Sequence, residues 1–389
     1  MRLQAIAVLG LCAAVTVAAP LAGLAMAGHS VGAYLGFPPR TEFVPHAPFA
    51  WSAFIALSIP GLAAIALYCA ALANARPAPA AQPARRYPWW GWLGLVLLAA
   101  GWILAWNESL VPPPWRRHTF TPLWLGYILA MNGLVHRRAG WSLLTCRRGW
   151  FLALFPVSAG FWWLFEYLNQ FVHNWYYTGI EASGDWDYFL QATLPFSTVL
   201  PAVASTWAWL RQFPRLDGMA LPPLRGHAGL AWLALIAGTS GLAGIGIWPQ
   251  ALFSMLWLGP LLVLGGLQQL ISGESLLAPL RHGDWRPLLQ PALAGLVCGF
   301  FWELWNYGAL AKWHYSIPYA QRFHLFEMPL LGYAGYLPFG VQCALVMDLV
   351  ARLVERRPLW PLGPDKVNLR SDFAEASING ARHAEDAHH

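Results

Sequence analysis

Two tetrads carry the residue types and spacing that could do chemistry: Glu166-Tyr-Leu-Asn169 and Glu303-Leu-Trp-Asn306, 137 positions apart and each inside an apolar run. In each, a carboxyl and a carboxamide stand at i and i+3 and therefore share one helix face. An ionised carboxylate in hydrocarbon costs roughly 2.5–3.5 kcal/mol even on the lenient insertion scale, so an acid kept there asks for a use. A carboxylic acid held neutral is a proton donor, and its conjugate base removes protons. His173, seven residues after Glu166, extends that face toward the outer surface. Glu327, at the outer start of the last apolar run, falls in the same layer of the second copy, and Gln191 takes its place in the first. No Lys or Arg sits inside an apolar run at this depth, so the three acids cannot all be ionised together.

Aromatic rings flank both acids. Phe161-Trp162-Trp163-Leu-Phe165 precedes Glu166, and Phe300-Phe301-Trp302-Glu-Leu-Trp305 surrounds Glu303; the chain has 24 Trp and is 15% aromatic. Interfacial belts use many such residues. The remainder suits a cavity in which a neutral acid protonates a double bond or epoxide of an isoprenoid and the rings shelter the resulting carbocation. On this reading Glu303 and Glu327 are acid and base, while Glu166, Asn169 and Asn306 orient them. His314 tunes or relays, and Trp163, Trp302, Trp305 and Gln191 contact a hydrophobic substrate.

Two readings from other classes share the same residues. One is a transporter or proton-coupled carrier with its site between repeats. The other is a structural or assembly subunit whose Glu/Asn pairs hydrogen-bond across an internal interface. No metal or cofactor is expected, because Asn stands where the Glu-x-x-His of carboxylate-bridged bundles needs His. The chain also lacks a Gly-rich phosphate loop, a nucleophile elbow and an H-E-x-x-H sequence.

The elements that must position these residues follow from composition. Apolar residues make up 57% of the chain and charged residues 11%, with mean hydropathy +0.44, which excludes an ordinary soluble domain. Ten runs approach the ~20 residues needed to span a bilayer: 4–26, 50–74, 89–106, 119–136, 150–172, 188–210, 227–247, 249–271, 287–311 and 326–350. With the N-terminus inside, 19 of the 24 Lys and Arg fall in inner segments, while Arg40, Arg116, Arg117, Lys312 and Arg322 stay outside. This bias puts both termini in the cytoplasm, in a bacterial inner membrane. It also accounts for the net charge of +6 without a nucleic-acid partner. The partners expected are membrane lipid and a hydrophobic small molecule. The first run ends in an A-x-A-like site but is longer than a signal-peptide core, which favours a retained anchor.

An internal repeat runs through the chain at a drifting offset. Leu123-Trp-Leu-Gly126 recurs as Leu256-Trp-Leu-Gly259, Trp150 as Trp285, and Trp175-Tyr-Tyr177 as Trp313-His-Tyr315. The fold class expected is therefore an all-α polytopic membrane protein of ten helices. It comprises an N-terminal two-helix segment (1–76), a Pro/Ala-rich linker (77–86), two parallel four-helix repeats (87–216 and 217–357) and a disordered cytoplasmic tail (358–389). The five Cys show no disulfide spacing.

Overall fold

The computed structural model describes residues 1–76, 85–109, 111–224, 226 and 228–363, so most of the expected linker and tail, with His383, His388 and His389, lie outside the described residues. The chain is mostly helical. Its long helices are α1 (Arg2–Met26), α2 (Trp51–Ala73), α3 (Trp89–Trp106), α4 (Phe120–Ala139) and α5 (Arg148–Val172), then α6 (Asp185–Phe196) and α7 (Val199–Leu210). There follow α8 (Ala228–Ile247), α9 (Met255–Ser272), α10 (Arg286–Tyr307) and, after a 3₁₀ turn over Leu330–Gly335, α11 (Tyr336–Val354).

Among the described residues, eight helical segments are long and apolar enough to cross a membrane: α1, α2, α3, α5, α8, α9, α10 and Leu330–Val354. Two expected spans are not among them. The run at 119–136 forms the continuous 20-residue helix α4, whose last turn carries His136, Arg137 and Arg138. The run at 188–210 is broken, because Ser197 and Thr198 turn their hydroxyls back onto the carbonyls of Leu194 and Pro195 and separate α6 from α7, each of 12 residues. Ser and Thr bend helices in this way by competing for backbone acceptors. Nearly every residue of α7 is buried.

Packing follows the chain order. α3 lies along α4 and α8 along α9, while α7 packs on α4, α5 and α10, and α11 on α9 and α10. Glycine sets the closest approaches. A Cβ on Gly126 would stand 2.5 Å from the backbone nitrogen of Leu98, and one on Gly259 would stand 2.7 Å from the Leu242 side chain. Small residues let helix backbones approach in this way where lipid gives no hydrophobic drive to association. α1 packs on α8, α9, α11 and α5.

The bundle end that holds Trp207 and Asp348 is filled. Trp207 and Trp360 stack with ring centroids 6.0 Å apart, and Arg211 and Arg286 sit over Trp360 at 5.3 and 5.2 Å. Arg147 pairs with Glu355 and lies over Trp150, while Asp348 accepts from Arg352, Gln268 and the backbone of Leu359. Leu359 and Leu362 are fully buried. The first residues expected in a free tail are therefore packed beneath the bundle, because the acceptors of Asp348 and the Trp207 ring capture them.

α2 stands apart. Most of it is exposed, and its anchors are few: Tyr68 donates to the Leu289 carbonyl at 2.5 Å, and Arg322 is seated among the rings of Phe49, Trp51 and Phe323 at its N-terminal end. A Cβ on Gly61 would lie 3.7 Å from that of Ala334, within the range of about 3.5–4.5 Å that a disulfide spans. In a background lacking the exposed Cys69 and Cys146, Gly61→Cys with Ala334→Cys is expected to cross-link on mild oxidation. Loss of thiol labelling reports the bond. Leu62→Cys with Ala334→Cys is expected to stay reduced, since Leu62 faces away at 63% exposure.

Candidate functional site

After α5 and after α10 the chain forms a short strand, β1 (Trp175–Thr178) and β2 (Lys312–Tyr315), and the two strands pair antiparallel. The register is Trp175 with Tyr315, Tyr176 with His314, Tyr177 with Trp313 and Thr178 with Lys312. Each strand is fastened by the Asn of the preceding tetrad. Asn306 donates to the Trp313 carbonyl at 2.7 Å and accepts from the Trp313 N–H at 2.9 Å. Asn169 donates to the Trp175 carbonyl at 2.7 Å and accepts from the N–H of Asn174 at 2.8 Å. Both side chains are fully buried; Asn306 is spent on backbone, and Asn169 on backbone and the Thr41 hydroxyl. The structure thus has them position the strands, whereas the sequence suggested that they orient the acids.

Alternation along a strand sends Trp175 and Tyr177 to one face, and Trp313 and Tyr315 to the same face of the pair. Those four side chains line a cavity of about 460 Å³ beneath the strands. Trp162 and Trp302, from α5 and α10, line it at the sides, with Tyr336 of α11 and Trp257 of α9. On α2, Leu57, Pro60, Gly61 and Ala64 close it laterally. The rim of the cavity carries Arg117, paired with Glu181, together with His118, Gln191 and Asn174. Gln191 bonds Asp187 and the Glu181 carbonyl, and the buried Oδ1 of Asn174 has no partner.

The two acids stand directly behind this wall. Glu166, 1% exposed, accepts at Oε1 from Trp162 Nε1 (2.9 Å), Trp175 Nε1 (3.1 Å) and Tyr177 Oη (2.5 Å). Glu303, fully buried, accepts at Oε1 from Tyr315 Oη (2.7 Å) and Tyr336 Oη (2.6 Å). Its Oε2 is buried without a partner. The Trp313 indole donates to the hydroxyl of Tyr315 at 2.9 Å. Neither acid forms an ion pair among the described residues. The two stations differ at one helical position: Trp162 lies four residues before Glu166, and Gly299 four before Glu303. A Cβ on Gly299 would strike the Tyr336 ring at 2.2 Å, so glycine there makes room for that phenol.

Glu327 and His314 do not join the cavity. Glu327 lies in the turn between β3 (His324–Leu325) and β4 (Met328–Pro329), ahead of the last helix. It binds Lys312 Nζ at 2.6 Å and His314 Nδ1 at 3.2 Å, on the outward face of the strand pair. There Thr178 meets His314 Nε2 at 3.1 Å, and Tyr176 stacks on the His314 ring with centroids 5.5 Å apart. The pleat explains the separation from Glu303, since neighbouring strand residues point opposite ways. The Phe37–Phe49 segment lies over this face: Phe43 meets the Tyr176 ring, Ser316 donates to the Val44 carbonyl, and His46 meets the His173 carbonyl.

Trp163 and Trp305 also lie off the cavity. Trp163 donates to Thr193 and stacks on Phe189, and Trp305 packs between Trp124 and Tyr127. Among the described residues no three His, Cys, Asp or Glu converge as a metal site. Sequence reasoning passed over Tyr177, Tyr315 and Tyr336. The first two sit in the repeated Trp-x-Tyr, a visible signal, whereas Tyr336 comes from a different helix and has none.

No family model, curated protein or solved structure matches this chain. Fold and site define an integral membrane protein of the polytopic α-helical class, with a strand pair roofing an aromatic cavity.

Removal of the Asn306 side chain orphans both backbone groups of Trp313, at a cost of about 1–3 kcal/mol each where they are buried. Asn306→Ala is expected to lower the thermal midpoint of the protein in lipid discs, and more than Gln191→Ala does. At Glu327, partial burial raises the carboxyl pKa, but the hydrogen bond and charge of Lys312, followed by His314, outweigh it and leave the group below its ordinary value. A depressed folded pKa contributes stability above the unfolded value that is lost as pH falls through the folded one. Glu327→Gln is therefore expected to lower stability at neutral pH and to flatten the loss of thermal stability between about pH 5 and about pH 3.

Proposed function

We propose that this protein is an enzyme of the bacterial inner membrane that acts by acid/base chemistry on a lipid or isoprenoid drawn from the outer leaflet, and that it is built from two parallel four-helix units. The duplication reading is supported by the strand register, which is symmetric about Tyr176 and His314, the residues that match at the repeat offset. Gly126 and Gly259, matched at their own offset, each sit at a closest helix approach. On this reading α4 and the broken α6–α7 complete ten spans, a pseudo-twofold axis passes through the strand pair, and both termini are cytoplasmic.

One observation carries the functional reading: two buried carboxyl groups accept hydrogen bonds from tyrosines whose rings line a single apolar cavity. The acids reach a substrate only through those phenols. The cycle starts with Glu303 protonated and Glu166 ionised: Tyr315 gives its hydroxyl proton to a substrate double bond and takes one back from Glu303. The carbocation then releases a proton from a neighbouring carbon to Tyr177, which passes its own to Glu166. One proton enters the substrate and one leaves, so it is isomerised or cyclised without change of formula, and the enzyme resets when Glu166 returns its proton to water and Glu303, ionised between turnovers, takes one up. General acid/base groups typically contribute about 10²–10⁴ in rate. The filled inner end, with the Trp207–Trp360 stack and the Asp348 cluster, favours a lipid-facing enzyme over a carrier with alternating access.

The experiment compares extracted lipids from cells with the gene, without it, and with Tyr315→Phe or Glu303→Gln at matched membrane levels. The expected result is a lipid present only with the wild-type protein, with at least about a hundredfold less for either variant. Identical lipid profiles with and without the gene would remove the enzyme reading.

A further inference from the structure

The cavity's walls and its charge together specify a guest. Trp162, Trp175, Trp302 and Trp313 present indoles to the interior, and Tyr177 and Tyr315 present phenols. Behind them lie Glu166 and Glu303, neither with an ion-pair partner among the described residues, and the one arginine on the rim is already paired with Glu181. Aromatic faces attract cations most strongly where water is excluded. Phenols and indoles that donate to a carboxylate become more electron-rich, because chains of hydrogen bonds polarise one another. An apolar neutral molecule gains nothing from this charge arrangement, whereas an apolar cation gains from both the rings and the acids.

We propose that the cavity is a binding site for hydrophobic organic cations of the quaternary-ammonium class. It also favours a substrate that develops positive carbon during reaction, and this part rests on the function proposed above. The guest enters along α2, where Leu57, Pro60, Gly61 and Ala64 are the cavity's side wall and the helix has few other anchors. About 460 Å³ accommodates a head of this class with part of an alkyl chain.

The test uses N-hexylpyridinium and 4-hexylpyridine at about pH 8, where the first is a cation and the second neutral and of nearly the same shape. Calorimetric titration of the full protein in zwitterionic lipid discs, with empty discs as the blank, gives both affinities. The cation is expected to bind at least about tenfold more tightly. Glu166→Gln and Glu303→Gln should each reduce that preference while leaving the neutral compound's affinity nearly unchanged. Gly61→Leu, which fills the cavity from α2, should abolish saturable binding of both. Equal affinities in the wild type, or no binding above empty discs, would overturn the proposal without any variant having to fold. Cation selectivity with an unchanged lipid profile would retain the binding site and remove the enzyme. A gene-dependent lipid without cation selectivity would do the reverse.

Discussion

The rest of the structure depends on one constraint: two carboxyl groups are buried on apolar helices long enough to cross a membrane, with no ion-pair partner among the described residues. Each must then be satisfied by neutral donors. A hydrogen bond to a charged group is worth about 1.5–3 kcal/mol, so two or three of them match or exceed the insertion cost of roughly 2.5–3.5 kcal/mol. Donors from the acid's own helix cannot suffice, because a helix offers side chains only at i±3 and i±4. Trp162 supplies one donor for Glu166 in this way, and the others come from the strand that follows the helix. Residues i and i+2 of a strand share a face, which is why Trp175 and Tyr177 reach the same carboxyl oxygen.

The i, i+3 spacing of Glu and Asn now has a physical account. The carboxyl fixes the side chains of the strand and the carboxamide fixes its backbone, so both must sit on the helix face toward the strand. Removing the amide would leave backbone groups unpaired in a region without water, where every polar group must be satisfied within the protein. The two stations solve the same problem with different parts. Trp162 fills the position that Gly299 leaves empty, and Tyr336 donates in its stead from α11. Glu303 thereby acquires two phenol partners, while Glu166 has one phenol and two indoles. The two stations are therefore chemically unlike although the tetrads that carry them are alike.

Much of this was legible beforehand where the signal was local. The tetrads, their helices, the ring-rich flanks and the repeated Trp-x-Tyr all lie within a few residues of one another, and composition alone required a membrane. What failed was information carried by the pleat and by distant elements. Glu327 and His314 matched the right offsets, yet a strand reverses the direction of neighbouring side chains, so Lys312 and the outer surface claimed them. Tyr336 and Trp257 belong to helices whose own sequences say nothing about where their rings turn. The break at Ser197-Thr198 and the capture of Leu359 depend on hydroxyl donors and a carboxylate acceptor that an apolar run conceals.

The strand pair is the least expected element in a helical membrane protein, and its position follows from the same rules. An open two-stranded ribbon is excluded from contact with lipid, because its edges carry unpaired amides. Here the strands are held and covered: the Asn side chains take Trp175 of β1 and Trp313 of β2, Ser316 donates its N–H to the Asn174 carbonyl, and the Phe37–Phe49 segment crosses above. So protected, the pleat acts as a partition one residue thick. Lys312, His314 and Thr178 face out, while Trp313, Tyr315, Trp175 and Tyr177 face the cavity. A helix at this place would spread its side chains around a full turn and mix the two environments. The two-residue period of a strand keeps Lys312 and His314 on one side and turns the rings, with the buried acids they bond, to the other.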